Sequence, residues 1–464
     1  MKNKLEKKYN LFTAICLVIG IVIGSGIFFK AENILKITNG NIIIGIIALL
    51  IGGTIMIVSA YNFANFASKY EKMNGLVDYS ESIIGNKYGY FVGWFISTIY
   101  YPAMTAVLAW VCARYTLLLF GDANPTTGLC MTLSAVYLIS IFTINMLAPK
   151  ISGVLQISST IIKLVPLIIM AIVGSIAGLI NQNTIESFKL SIQTAGEFNG
   201  MFAAIVSGAF AYEGWIIATS INSELKDSKK NLPIALVVGT FIIMVIYIVY
   251  FIGLCGGASI EELEQNPLIS YSNIFGNFAG TLLLVFIIIS CIGTLNGLMF
   301  ANVRSLYSIS LRNKGPKIEV LNQVDDVTNI PNNSGVVGLL LCVFWLLYFY
   351  MGNLSETNLL GVFAFDSSEL PIVTLYVLYI PIYIMFIKKE GKNDWKKNII
   401  MPILGIIASL FMIFAAVYAH GITYYLEAQK VNEFSFPILF YLIVTIVIMG
   451  IGMLFYKKEK KLDK

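Results

Sequence analysis

Charge is what this chain has least of. Asp, Glu, Lys and Arg make up only 12% of its 464 residues, against 57% hydrophobic, and the mean hydropathy is +0.80. A soluble domain of this length carries about a quarter charged residues, because it must present a wetted surface. Half that allowance excludes a soluble globular fold and leaves a chain organised by membrane spans. Histidine is nearly absent as well. The single His420 excludes a His-rich metal centre, and no cofactor or metal is expected. The six cysteines (Cys16, Cys112, Cys130, Cys255, Cys291 and Cys342) are scattered through apolar stretches with no CxxC spacing. They read as small core residues and not as a disulfide or metal framework. A cleaved leader is not expected either, because Met1 to Asn10 runs straight into a long apolar segment without a small-residue cleavage pattern.

What the chain does have is long apolar runs. A bilayer core of about 30 Å needs roughly 20 apolar residues per helix. Runs bounded by charge or turn signals number about twelve, near 11–35, 41–68, 88–119, 127–147, 152–180, 199–222, 232–256, 274–306, 335–352, 359–387, 397–419 and 435–456. If the N-terminus is inside, twenty-five Lys and Arg fall in inside segments. Four (Lys30, Lys36, Lys189 and Lys430) fall outside, and only Arg114 and Lys163 lie within spans. That asymmetry predicts both termini on the cytoplasmic side of the cell membrane. The net charge of +5 is thereby accounted for by topology, which leaves no basic surface for nucleic acid.

Two of the runs are interrupted. The first reads Ile23-Gly24-Ser25-Gly26-Ile27-Phe28, and each Gly weakens a helix by about 1 kcal/mol relative to Ala. The sixth reads Phe210-Ala211-Tyr212-Glu213-Gly214-Trp215, with a carboxylate at the break. Taken alone, the first is equally well a close-packing stripe of small residues. Two interrupted helices at matching places in two halves point instead to an inverted-repeat transporter. Five-helix repeats would then cover 11–180 and 199–388, with two appended helices over 397–456 and cytoplasmic tails at 1–10 and 457–464. The expected fold is all-α and integral to the membrane.

Such breaks suit a zwitterion. A half-helix beginning after Gly24 presents the free N–H groups of Ser25, Gly26 and Ile27 to a carboxylate. Carbonyls near Val22, Ile23, Phe210 and Ala211 present acceptors to an ammonium. Unpaired backbone at this depth is tolerated only where it lines a cavity.

On these residues the chain resembles the amino acid–polyamine–organocation superfamily, particularly bacterial permeases similar to L-type amino acid transporters. The first break resembles the family's helix 1 signature, and Phe210 to Trp215 its helix 6 signature, where Gly, Asp or Asn often stands at the Glu213 position. Glu224-Leu225-Lys226-Asp227 and Leu232-Pro233-Ile234-Ala235 resemble the following loop. Gly293, Asn296, Gly297, Arg304, Tyr307, Gly315 and Pro316 resemble the helix 8 run. Asn145, Lys150, Gln156, Thr160, Lys163, Leu164 and Pro166 fall at the spacings of helices 4 and 5. The loop after helix 2 departs from the pattern, being reduced to Asn74-Gly75 and Tyr79. The resemblance implies a five-plus-five inverted repeat with two extra helices, alternating access, and a lone chain. The covalent heavy chain of some eukaryotic relatives is not expected, because the segment from Gly121 to Thr127 holds no cysteine.

Charges inside the membrane complete the reading. Lys163 sits in an apolar run about a dozen residues from the span start, where a buried ammonium costs roughly 2.5–3.5 kcal/mol on insertion scales. The resemblance implies that its amine replaces the sodium ion that related transporters hold between helices 1 and 8, and that it contacts helix 1 carbonyls. A desolvated lysine there is also placed to exchange a proton. Glu213 borders the inferred pocket, and either shapes the site or braces the break. Asp366 and Glu369, expected in the outer part of helix 10, fit ligand contact, vestibule and capping roles equally. The expected function is sodium-independent transport of a small L-amino acid, neutral in preference to cationic, by exchange or proton coupling. A cationic amino acid or amine, selected by Glu213, is the alternative. A membrane-embedded enzyme would need paired catalytic groups, which are lacking, and a channel would show repeated pore elements.

Overall fold

The computed structural model describes residues 10–70, 75–122, 126–193, 200–216, 225–259, 262–263, 269–354, 359–392 and 394–456. The expected terminal tails lie outside these residues except for Asn10, as do Asn74, Glu224 and the end of the sixth apolar run. Among the described residues the chain is helical throughout, with no β-strand.

We number the principal helices α1 (Leu11–Val22), α2 (Gly26–Ile37), α3 (Ile42–Lys69), α4 (Asn86–Leu119), α5 (Thr127–Leu147), α6 (Pro149–Ile180), α7 (Met201–Ala211), α8 (Ser228–Gly256), α9 (Ile269–Ser310), α10 (Asn332–Leu354), α11 (Leu370–Glu390), α12 (Lys396–Lys430) and α13 (Pro437–Leu454). Ten of these are long and apolar enough to cross a membrane. Helices α1 and α2 pass the same test of length and apolarity only as a pair, bent by 51° at the break, and α7 is a shorter apolar helix. The protein is therefore a multi-pass membrane protein. Large apolar side chains on the outer helices are exposed, such as Ile157 and Ile161 on α6 and Ile446 and Val447 on α13. Lipid is the solvent that makes such exposure costless.

The core is built around α2, α3, α4, α7, α8 and α9. The half-helix α2 packs on α7, and α3 packs on α7 and α8. Close approach depends on glycine. A Cβ on Gly53 would meet the Met244 side chain at 2.5 Å, and one on Gly174 would meet the Gly253 carbonyl oxygen at 2.6 Å. Small residues at helix contacts are the usual means by which membrane helices pack, since lipid supplies no hydrophobic drive between them.

Two of the boundaries that differ from expectation bear on the breaks and the buried charges. The stretch 359–369, apolar enough to look helical, contains only a short 3₁₀ turn, and α11 begins at Leu370. Asp366 Oδ1 accepts from the backbone N–H groups of Ser368 and Glu369 at 2.6 and 3.0 Å, which ties off the turn, and Pro371 occupies the first turn of the helix. Asp366 and Glu369 thus precede the helix in which they were expected. The sixth run, expected to continue to 222, leaves its helix at Ala211.

Candidate functional site

The two interruptions meet. Helix α1 ends at Val22 and α2 starts at Gly26, with Ile23 in an extended conformation between them. A Cβ on Gly26 would lie 3.0 Å from the Ala211 Cα and 3.3 Å from the Phe210 carbonyl oxygen. Only hydrogen at that position lets the start of α2 sit against the end of α7. On the other side of the break, α7 turns through Tyr212, Glu213 and Gly214, and Gly214 adopts φ +108°, a region L side chains rarely enter.

A cavity of about 500 Å³ opens beside this junction. Its lining includes Val22, Gly24, Ser25 and Gly26 from the first break, and Phe210, Ala211, Glu213 and Gly214 from the second. Lys163, Tyr100 and Thr294 contribute from α6, α4 and α9. The lining is mostly apolar and extends away from the breaks to Pro149 and Gly153 on α6 and Phe300 on α9. Of the residues singled out in the sequence, Val22, Ser25, Gly26, Lys163, Phe210, Ala211 and Glu213 line the cavity, whereas Ile23 and Ile27 are buried outside the lining.

Backbone groups left over at the breaks have partners within the protein. Lys163 Nζ donates to the Gly20 carbonyl oxygen at the end of α1, and its side chain is 4% exposed. Lys163 stands where α6 leaves regular helix, between Ile162 and Leu164. The hydroxyl of Tyr247, on α8, lies 3.1 Å from the Ala211 carbonyl oxygen and 3.4 Å from that of Val22, so one donor spans both breaks. The Ser25 N–H donates to Thr294 Oγ1 at 3.3 Å. The Ser25 hydroxyl is fully buried and has no hydrogen-bond partner among the described residues. Glu213 Oε1 accepts from the Tyr100 hydroxyl at 2.9 Å, and the Glu213 backbone N–H donates to the Phe210 carbonyl oxygen at 3.3 Å.

A polar network that joins α5, α6 and α9 reaches the same cavity through Ser152, Gln156 and Asn296. Asn145 Nδ2 donates to Asn296 Oδ1 at 2.9 Å, and Ser152 Oγ donates to the same oxygen at 3.0 Å. Asn296 Nδ2 donates to the Ser152 carbonyl oxygen at 3.1 Å and to Gln156 Oε1 at 3.2 Å. Buried amides satisfied this fully fix how three helices face one another.

Sequence reasoning missed Tyr247 and Lys30. Tyr247 lies inside an unbroken apolar run and gives no local sign of its hydroxyl's targets. Lys30, counted among the outside charges, is instead 1% exposed and paired with Glu369 at 2.6 Å. Neither Asp366 nor Glu369 lines the cavity. Among the described residues no cluster of His, Cys, Asp and Glu could hold a metal ion.

A multi-pass helical protein in which a broken helix and the end of a second apolar helix meet at one cavity suits a solute transporter. Its family follows from comparison: residues 9–449 match the amino acid permease family, and the chain belongs to that family. Among similar proteins, the serine/threonine exchanger SteT of Bacillus subtilis is 28% identical over 422 residues, covering 89% of this chain and 91% of the relative. The b(0,+)-type amino acid transporter 1 of Homo sapiens is 24% identical, over 89% of this chain and 83% of the relative. The cystine/glutamate transporter of Homo sapiens is likewise 24% identical, over 90% and 82%. The chain is thus an amino acid transporter by family.

Proposed function

We propose that this transporter carries a small neutral L-amino acid across the cytoplasmic membrane by alternating access, as an exchanger or proton-coupled symporter that needs no sodium. The observation that carries the proposal is the junction of two breaks on one cavity. The start of α2 offers the N–H groups of Gly26 and Ile27, and that of Ser25 once it leaves Thr294 Oγ1, with the positive end of the helix dipole, to a substrate carboxylate. The carbonyl ends of α1 and α7, at Val22, Ile23, Phe210 and Ala211, offer acceptors to the substrate ammonium. The mostly apolar remainder of the lining suits a side chain that carries no charge.

In this reading the Lys163 amine holds the end of α1 through Gly20, so that no sodium ion is required there. The chain forms two five-helix repeats of opposite orientation, over 11–180 and 199–388, followed by two helices, and acts without a covalent heavy chain. The excess of Lys and Arg in alternate loops supports both termini being cytoplasmic. The cavity then extends towards the cytoplasm along α6 and α9, which makes this conformation inward-facing. SteT, a serine/threonine exchanger by name, is consistent with a small neutral substrate.

A second reading, a cationic substrate, is favoured by one observation: Glu213 lines the cavity and, among the described residues, Tyr100 is the one side chain that donates a hydrogen bond to its carboxylate. A competition screen on labelled uptake separates the two. Inhibition by serine, threonine or alanine supports the neutral reading. Inhibition by arginine, lysine or ornithine with none by the neutral set, abolished selectively in Glu213→Gln, transfers the specificity to Glu213.

A further inference from the structure

A second group of buried charges lies just beyond the cavity, on the side away from Pro149 and Phe300. Lys30 on α2, Glu369 in the turn before α11 and His420 on α12 are 1%, 3% and 7% exposed. Lys30 Nζ is 2.6 Å from Glu369 Oε1, and His420 Nε2 is 3.0 Å from Glu369 Oε2. Lys30 Nζ also donates to Ser368 Oγ at 3.3 Å, and Ser368 Oγ donates to Asp366 Oδ1 at 2.6 Å. The Tyr424 ring stacks on His420 with centroids 6.4 Å apart. Two contacts place this group against the cavity wall. Lys30 Nζ lies 5.0 Å from the centre of the Phe210 ring, and Phe210 lines the cavity. Ile372, three residues after Glu369, lines it too.

We infer that the Lys30–Glu369–His420 triad is a gate latch, which holds α2 against α11 and α12 and so keeps that face of the cavity shut. The inference rests on the reading of the chain as an alternating-access carrier. A buried ion pair adds little net stability over apolar packing, but removing one partner is strongly destabilising because a charge is left buried alone. A contact with that property suits an element with two discrete positions. Here the element is α2, joined to α1 only through the non-helical break at Ile23, Gly24 and Ser25. The Ser25 N–H and Gly26 contacts tie the base of α2 to α9 and α7, while Lys30, one turn further on, ties its middle to α11 and α12. A second pair at the same level, Arg114–Glu32 at 3.0 Å, joins α2 to α4, and the Tyr115 hydroxyl donates to Glu32 at 2.9 Å. His420 occupies the other oxygen of Glu369, so the carboxylate stays turned towards Lys30. Opening this face requires α2 to leave α11, and the latch charges then become hydrated together.

The test uses the full chain in vesicles of known orientation, with Met104→Cys, a cavity-lining position outside the two breaks, as reporter. Labelling by a membrane-impermeant maleimide is measured from each side, with and without saturating serine, against the background of the native cysteines. Glu369→Gln, which is isosteric and retains an acceptor for Lys30, and Lys30→Met should each raise labelling from the latch side about tenfold or more. The charge exchange Lys30→Glu with Glu369→Lys should bring it back towards the unaltered latch. Unchanged labelling in both single variants, or a charge-exchanged variant as open as the singles, overturns the latch. Should Lys30→Met fail to elute as a monodisperse species, Glu369→Gln and His420→Leu decide, since each leaves Lys30 in place. If serine moves the labelling of the reporter in the intact latch from one side to the other, alternating access holds whatever the latch variants do. If it does not, that reading fails first.

Discussion

Gly26 is where the account is most exposed to a single substitution. It touches two requirements at once: its N–H belongs to the proposed carboxylate site, and its lack of a side chain lets α2 meet α7. Gly26→Ala adds one methyl group, 3.0 Å from a backbone carbon of Ala211 and 3.3 Å from both the ring of Phe210 and its carbonyl oxygen. Two of those three neighbours are backbone, so the strain cannot be relieved by rotating a side chain. Overpacking of this kind costs about 1–3 kcal/mol. At 1.4 kcal/mol per tenfold, the bound state of the substrate should weaken by roughly 5- to 150-fold, provided the helices part at the junction. Gly26→Leu brings a four-carbon side chain to the same place and should abolish transport altogether. Neither change touches the lipid-facing surface, so both proteins should still insert and purify as monodisperse species. Uptake of labelled serine into proteoliposomes, measured across substrate concentration, gives KM and maximal rate. Wild-type kinetics in Gly26→Leu would remove the junction of the breaks from the binding site.

Three other substitutions probe the groups around that junction. Lys163→Ala removes a charged hydrogen bond worth about 1.5–3 kcal/mol, so transport should fall by roughly 10- to 100-fold or become asymmetric between the two faces. Equal kinetics on both faces, unchanged from wild type, would make Lys163 structural only. Tyr247→Phe deletes the single donor shared by the Val22 and Ala211 carbonyls, worth about 0.5–1.5 kcal/mol. The KM should rise by roughly 2- to 12-fold with little change in maximal rate, and an unchanged KM would show that the hydroxyl does not position the breaks. Asn296→Leu leaves Asn145, Ser152 and Gln156 without their common partner at about 1–3 kcal/mol for each buried group so orphaned. The expected result is a lower unfolding temperature, read by a thermal-shift assay in detergent, and an unaltered temperature would contradict the network's role in holding α5, α6 and α9.

Most of the helices were legible in the sequence because a membrane span needs only length and apolarity, and ten of the runs have both. The breaks were legible because Gly24, Ser25 and Gly26, and Tyr212, Glu213 and Gly214, are residues that a continuous apolar helix does not need. Lys163 was legible for the opposite reason, since an ammonium a dozen residues into a span cannot reach the interface. Lys30 escaped notice because it stands at the end of an apolar run, where hydropathy assigns a charge to the interface. Its partner Glu369 is 339 residues away, so nothing local records the pairing. The start of α11 was placed too early because Leu359, Leu360, Val362, Phe363 and Phe365 are as apolar as a span. A signal was present in Asp366, Ser368 and Glu369 followed by Pro371, the pattern of a capped helix start with proline in its first turn. Tyr247 offered no such signal, because a tyrosine within an apolar run reads as core, and the direction of its hydroxyl is a property of the tertiary fold alone.

In the proposed function one cavity at the two breaks carries an amino acid through its backbone groups. That claim is tested most directly by counterflow: proteoliposomes loaded with unlabelled serine and diluted into trace labelled serine, in sodium-free buffer. Labelled serine should accumulate transiently above equilibrium. Unlabelled threonine or alanine inside should drive the same accumulation, whereas the decarboxylated amine of serine, which lacks the group that α2 is proposed to bind, should not. Accumulation driven equally well by the amine, or none without sodium, would contradict the account.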